Sequence, residues 1–164
     1  MNLTTLDIIT PQELKVLDWL RTNELTNQIS DFIQRSDAYT RLISGIMGWH
    51  WEDEFKTLCE LHGFTCSNIS LSNRYDLIVN DKKVQCKYTV STSRVDIRHR
   101  GSRLTGGKYK AGDFDVMAIR SRNDIFIVPI DVLLDDTLTQ TRSSVKIDEI
   151  VSYKDKYEVF NEIP

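Results

Sequence analysis

Asp76, Gln85 and Lys87 put a carboxylate, an amide and an ammonium group at the spacing a β-hairpin would bring together. The runs Leu77-Ile78-Val79 and Val84-Gln85-Cys86-Lys87-Tyr88 are rich in β-branched and aromatic residues, which favour strands. Asn80-Asp81 lies between them and tolerates the left-handed backbone of a two-residue hairpin turn. With that turn Val79 faces Lys82, and counting outward sets Asp76 opposite Gln85. Side chains alternate across a strand, so Gln85 and Lys87 share the face of Asp76 while Val84, Cys86 and Tyr88 point the other way. A four-residue turn keeps this parity; a three-residue turn destroys it.

An acid, a neutral oxygen donor and a lysine at one place suit a hard cation. Mg²⁺ takes carboxylate and amide oxygens and keeps several waters, and a neighbouring lysine can orient an attacking water and offset charge on a phosphate. A helix before the hairpin offers a further acid. Ile43, Met47, Trp51, Leu58 and Leu61 recur at helical spacing, with Gly63 placed to end the helix. Glu54 falls on that stripe, where a carboxylate is costly unless something pairs with it. Glu52 competes for the same role through its linear spacing, Gly48-x-x-x-Glu52 with Gly63 further on. Glu54 is preferred because a loop absorbs a two-residue deletion more cheaply than a helix can turn its buried face.

The order Asp, about ten residues, then Gln-x-Lys resembles the PD-(D/E)XK nuclease superfamily. Arg74-Tyr75-Asp76-Leu77-Ile78-Val79 followed by Val84-Gln85-Cys86-Lys87 is most similar to the branch containing group I intron homing endonucleases, in which glutamine replaces the second acid. A later tyrosine, an aspartate, a hydrophobic strand-turn-strand and Pro129 resemble the same branch, and the likeness covers residues 48–133. It implies a Mg²⁺-dependent, site-specific endonuclease acting on double-stranded DNA. Glu54 or Glu52, Asp76, the Gln85 oxygen and the Cys86 carbonyl would hold the metal, and Lys87 would position the attacking water. It also implies a homodimer or homotetramer, because one site cuts one strand. A Holliday junction resolvase or a restriction endonuclease would use the same core. A non-catalytic DNA-binding regulator is the alternative from another class.

The charge distribution shows where DNA would lie. The chain has 21 Lys and Arg against 24 Asp and Glu, a formal net charge of -3. Between Lys82 and Lys110, however, Asp96 is the single acid. Arg94, Arg98, Arg100, Arg103, Lys108 and Lys110 in that stripe are the candidate contacts to DNA. Gly101 and Gly106-Gly107 loosen the same stretch.

The 164 residues suffice for one catalytic core with a small appendage. The expected organisation is a helical extension over residues 1–45 and a nuclease core over 46–164. The fold class is α/β in the α+β sense, a restriction-endonuclease-like core with a mixed central sheet flanked by helices. Thr10-Pro11-Gln12-Glu13 is a helix start, and helices are expected over 11–21 and 26–34. Such helices could read a major groove, but only Arg21, Arg35 and Arg41 carry positive arginine charge there. Strands are expected over 64–70, 74–79, 83–88, 115–119 and 125–129, and an amphipathic segment holds Val145, Ile147, Ile150 and Val151.

No apolar run approaches the ~20 residues of a membrane span. The first residues lack a basic segment and an apolar signal core, and the cysteine number, 3, is odd. The expectation is a cytoplasmic protein, bacterial or phage-encoded, acting on DNA. Cys59-x-x-His62-x-x-x-Cys66 has zinc-like spacing without an evident fourth ligand, so packed thiols are expected.

Overall fold

The computed structural model describes residues 36–68, 74–99 and 107–161. The chain divides into two compact units, Met1–His50 and Trp51–Pro164. The helices expected over 11–21 and 26–34, and any groove reading by them, lie outside the described residues.

Helix α1, Ser36–Leu61, delivers its second half to the larger unit. It ends where glycine was expected to end it. Gly63 adopts φ 84°, and Phe64 N–H donates to Cys59 O at 3.1 Å while Gly63 N–H donates to Glu60 O at 2.9 Å. These are the paired bonds of a left-handed helix cap, which satisfy carbonyls the helix leaves open. The face it buries differs from the expected one. Trp51, Phe55 and Cys59 are buried, whereas Leu61 is 78% exposed. Phe55, absent from the expected stripe, is the largest reason: at about 100° per residue, a face centred on Trp51, Phe55 and Cys59 is turned toward Glu52 and away from Glu54.

Strands β1 (Cys66–Asn68), β2 (Leu77–Val79), β3 (Lys82–Thr89), β5 (Val116–Ser121) and β6 (Asp124–Pro129) form one five-stranded sheet in the order β1-β2-β3-β5-β6. The β3–β5 pair is parallel and the other pairs are antiparallel, so the sheet is mixed. Asp115 fixes the start of the parallel pair. Its carboxylate accepts from Lys83 N–H at 2.7 Å, and its own N–H donates to Lys83 O at 2.9 Å.

Each face of the sheet is covered. On one, Leu77, Val79, Val84, Cys86, Val116, Ala118 and Ile127 pack against Trp51, Phe55 and Cys59 of α1 and against Tyr157 and Phe160. Trp51 Nε1–H donates to Ala118 O at 3.1 Å, which pins the helix to β5. On the other, Met117, Ile119, Phe126 and Val128 meet Val95, Ile97, Tyr109, Phe114, Leu133, Val145 and Ile150. That layer includes β4 (Arg94–Asp96), which pairs antiparallel with β7 (Ser144–Lys146) as a separate two-stranded sheet. Two short helices complete it, α2 (Ile130–Leu133) and α3 (Ile147–Ile150). Of the expected amphipathic segment, Val145 and Ile150 are buried and Val151 is exposed. Among the described residues, no helix is long and apolar enough to cross a membrane.

Candidate active site

The β2–β3 ladder pairs Val79 with Lys82 and Leu77 with Val84 and ends there, and Asp76 just beyond it donates its N–H to Val84 O at 2.8 Å. Asn80 and Asp81 take φ 45° and 67°, the left-handed pair of a type I′ turn. Asn80 Oδ1 accepts from the Thr65 backbone N–H at 3.0 Å and from the Thr65 hydroxyl at 3.1 Å, tying the turn to the chain entering β1.

Asp76 and Gln85 meet directly. Gln85 Nε2 donates to Asp76 Oδ2 and also to the Cys86 carbonyl at 3.1 Å, and Cys86 N–H donates to Asp76 Oδ2 at 2.7 Å. Gln85 is buried, and burial pushes the Asp76 carboxyl up despite these donors and the nearby Lys87 charge. Turning the Gln85 amide over would present its oxygen where its nitrogen stands.

The helix acid beside this pair is Glu52. Burial, and then the charge of Asp76, push Glu52 from the ordinary carboxylate range up to about 7. Glu54 is turned to β5 instead, where Arg120 Nη1 donates to its Oε1 at 3.4 Å and the Arg120 guanidinium lies 5.5 Å from the Trp51 ring centre. The sequence preference for Glu54 is therefore corrected in placement: the helix rotation set by Phe55 brings Glu52 to Asp76 and gives Glu54 to an ion pair.

Lys87 is held from the second layer. Its Nζ donates to the Arg98 carbonyl at 2.7 Å and stands 5.6 Å from the centre of the Tyr109 ring, and its charge reaches Asp76. Tyr109 is buried, and the His99 ring meets it edge-on at 5.4 Å. His99 Nε2 is in turn 2.7 Å from Arg74 Nη1. Arg74, Tyr109 and His99 received no role from the sequence; the signal available was the tyrosine-aspartate order in the family likeness, which said nothing of a contact with Lys87.

The basic stripe is less open than its sequence suggests. Arg98 is bound to Asp96 at 2.6 Å, Lys108 to Asp135 at 3.7 Å, and Arg94 donates to the Ser144 hydroxyl at 3.2 Å. Lys110 is exposed at an isolated bridge to Gln140. Arg100 and Arg103 lie outside the described residues. Cys59 and Cys86 are buried and Cys66 half-buried, none is in a disulfide, and Cys59 lies within hydrogen-bonding reach of Cys66. His62 is engaged elsewhere, its ring 3.8 Å from that of Tyr157.

Two carboxylates held together against their repulsion, an amide and the Cys86 carbonyl form a donor set suited to a hard cation. Among the described residues, no three His, Cys, Asp or Glu side chains gather into a metal-binding group, so the set depends on the amide and the main-chain oxygen.

The fold defines the class: a mixed α+β sheet flanked by helices, a restriction-endonuclease-like core, with the acid-amide-lysine hairpin running into its central strand β3. In sequence, no family model and no curated protein matches the chain. In structure it is similar to a bacterial homing endonuclease, with a TM-score of 0.55 and 19% identity over 68% of this chain and 88% of that one. It also matches a Holliday junction resolvase from the archaeon Archaeoglobus fulgidus, with a TM-score of 0.47 and 12% identity over 71% of this chain and 98% of that one.

Proposed function

We propose that the chain is a divalent-metal-dependent endonuclease that hydrolyses phosphodiester bonds of double-stranded DNA, in the manner of a homing endonuclease. The observation that carries this reading is the bond between Asp76 and Gln85, with the Lys87 charge reaching Asp76 and the Asp76 charge reaching Glu52. The sharing of a fold with a bacterial homing endonuclease supports it.

Glu52, Asp76, the Gln85 side-chain oxygen and the Cys86 carbonyl would hold Mg²⁺. When bound, the ion would supply Lewis-acid charge at the scissile phosphate. Lys87, fixed by the Arg98 carbonyl and the Tyr109 ring, orients the attacking water and offsets developing negative charge. Asp76 accepts from Cys86 N–H, which keeps its carboxylate aimed. Because Gln85 contributes no charge, Mg²⁺ binding should be weak, and saturation at micromolar metal would contradict the assignment.

A double-strand break requires two such sites, so a homodimer or homotetramer is part of the proposal, measurable by sedimentation. The protein would act on DNA in the cytoplasm, and Arg94, Lys108 and Lys110 remain candidate DNA contacts beside Arg98, Arg100 and Arg103.

The deciding experiment incubates purified protein and its Lys87→Ala variant with genomic DNA, a supercoiled plasmid and a synthetic four-way junction, each with and without Mg²⁺. Metal-dependent duplex cleavage lost in Lys87→Ala is the expected result. Preference for the junction would indicate a resolvase. Tight duplex binding with no cutting, indifferent to Lys87→Ala, would indicate a non-catalytic regulator.

A further inference from the structure

The arginines nearest the hairpin differ in what they contact. Arg98 is paired with Asp96, Lys108 with Asp135 and Arg120 with Glu54. Among the described residues, no carboxylate forms an ion pair with Arg74. Among the described residues its hydrogen bond is to the His99 ring, through one guanidinium nitrogen, and a guanidinium carries further N–H donors that a ligand can take.

Its place is equally specific. Arg74 precedes Asp76 by two residues. It reaches Lys87 through a continuous set of contacts: guanidinium on His99 at 2.7 Å, His99 on the Tyr109 ring at 5.4 Å, and Lys87 over that same ring at 5.6 Å. The residue bonded to His99, Arg98, supplies the carbonyl that fixes Lys87. One short segment therefore holds both cations. Burial and the charges of Arg74 and Lys87 hold His99 below its ordinary range, so its ring nitrogen is an acceptor at neutral pH.

We propose that Arg74 is a further phosphate-binding residue of this site and that His99 is its positioning residue, presetting the guanidinium beside Lys87 for the backbone of bound DNA. This rests on the nuclease reading for its substrate. Arginine suits the task because its planar donors match phosphate oxygens in pairs, and a contact set before binding costs less ordering when DNA arrives. The Tyr109 ring offers both Lys87 and His99 a π surface in place of water.

The test uses the full chain and reads binding and cutting separately. Affinity for a short fluorescent duplex is measured without added metal across a salt series for the wild type, Arg74→Ala and Arg74→Lys. Loss of one phosphate contact should lower the slope of log affinity against log salt by about 0.9 in Arg74→Ala and leave it near wild type in Arg74→Lys. His99→Ala should weaken cutting by about tenfold at little changed KM, and His99→Gln, whose amide oxygen can accept from Arg74, should restore most of it. An unchanged salt slope in Arg74→Ala overturns the phosphate assignment whether or not the protein cuts DNA. His99→Gln as impaired as His99→Ala overturns the positioning role. A reduced slope in Arg74→Ala beside a wild type that cuts nothing removes the nuclease reading and leaves the phosphate contact standing.

Discussion

The β5–β6 hairpin pairs its strands from Val116 and Pro129 to Ser121 and Asp124, and both faces are covered by apolar side chains. The β2–β3 hairpin pairs only from Leu77 and Val84 to Val79 and Lys82, and beyond the pairing Gln85 bonds Asp76 while Lys87 follows on the face of Gln85. The two meet edge to edge in parallel register, where Gln85 lies beside Met117 and Lys87 beside Ile119. At the same level of the same sheet, one strand offers the second layer a sulfur and a branched alkyl chain, and its neighbour offers an amide and an ammonium. The apolar hairpin is packed on both faces, and the polar one tolerates the burial of an acid, Asp76, beside Gln85 and within reach of the Lys87 charge. Active sites commonly break local rules that the rest of the fold obeys.

The sharpest way to break this contrast is to truncate one residue in each hairpin. Phe126→Ala should cost about 3–5 kcal/mol in chemical denaturation, a large share of the roughly 5–15 kcal/mol that holds a domain. Lys87→Ala should leave the denaturation midpoint nearly unchanged and reduce DNA cleavage by about 10²–10⁴. If Lys87→Ala unfolded the protein as readily as Phe126→Ala, the division of labour would be refuted.

The second contrast is within α1, between two glutamates two residues apart. A carboxyl raised in the folded state binds its proton more tightly there than when unfolded. The contribution of Glu52 to stability is therefore lost as pH rises from about 4.5 to about 7, and Asp76 acts in the same sense. Glu52→Gln should flatten this slope and stabilise the metal-free protein at alkaline pH by roughly 1–2 kcal/mol, allowing for the solvent that still reaches the carboxyl, while impairing cleavage. Thermal melts from acid to alkaline pH measure it; a stability profile identical to the wild type would contradict the raised carboxyl.

Glu54→Gln should do the reverse on a smaller scale. It removes an ion pair with Arg120 that is worth less than about 1 kcal/mol, and it should leave cleavage intact. A cleavage defect in Glu54→Gln as deep as that of Glu52→Gln would return the helix acid to the position the sequence favoured.

The smallest effect is at the turn. Asp81 holds φ 67°, which glycine adopts without strain, so Asp81→Gly should stabilise by about 0.5 kcal/mol or be neutral. Asn80→Ala should cost more, because Thr65 loses the side-chain acceptor of two hydrogen bonds. Equal behaviour of the two substitutions would show that Asn80 serves the turn alone.

What was legible in the sequence follows from how far each rule reaches. The hairpin was legible because turn chemistry and period-two alternation act between near neighbours: Asn80-Asp81 sets the register from Val79 and Lys82 to Leu77 and Val84, and alternation puts Gln85 and Lys87 on one face of β3. The end of α1 at Gly63 and the strands on either side of Arg122 were legible for the same reason. The rotation of α1 was not. An amphipathic stripe with Leu61 at one margin and Phe55 at the other admits two centres, and only the packing of Phe55 against Tyr157 and Phe160 chooses between them.

The amino-acid sequence by itself determined which chemical groups the hairpin carries and that Gln85 and Lys87 share one face of β3, because side chains alternate with a period of two along a strand. Tertiary structure decided which glutamate joins them, which arginines are neutralised and what holds Lys87. Asp135 lies far along the chain from Lys108, Glu54 from Arg120 and Tyr109 from Lys87, and no local periodicity relates residues that only packing brings into contact.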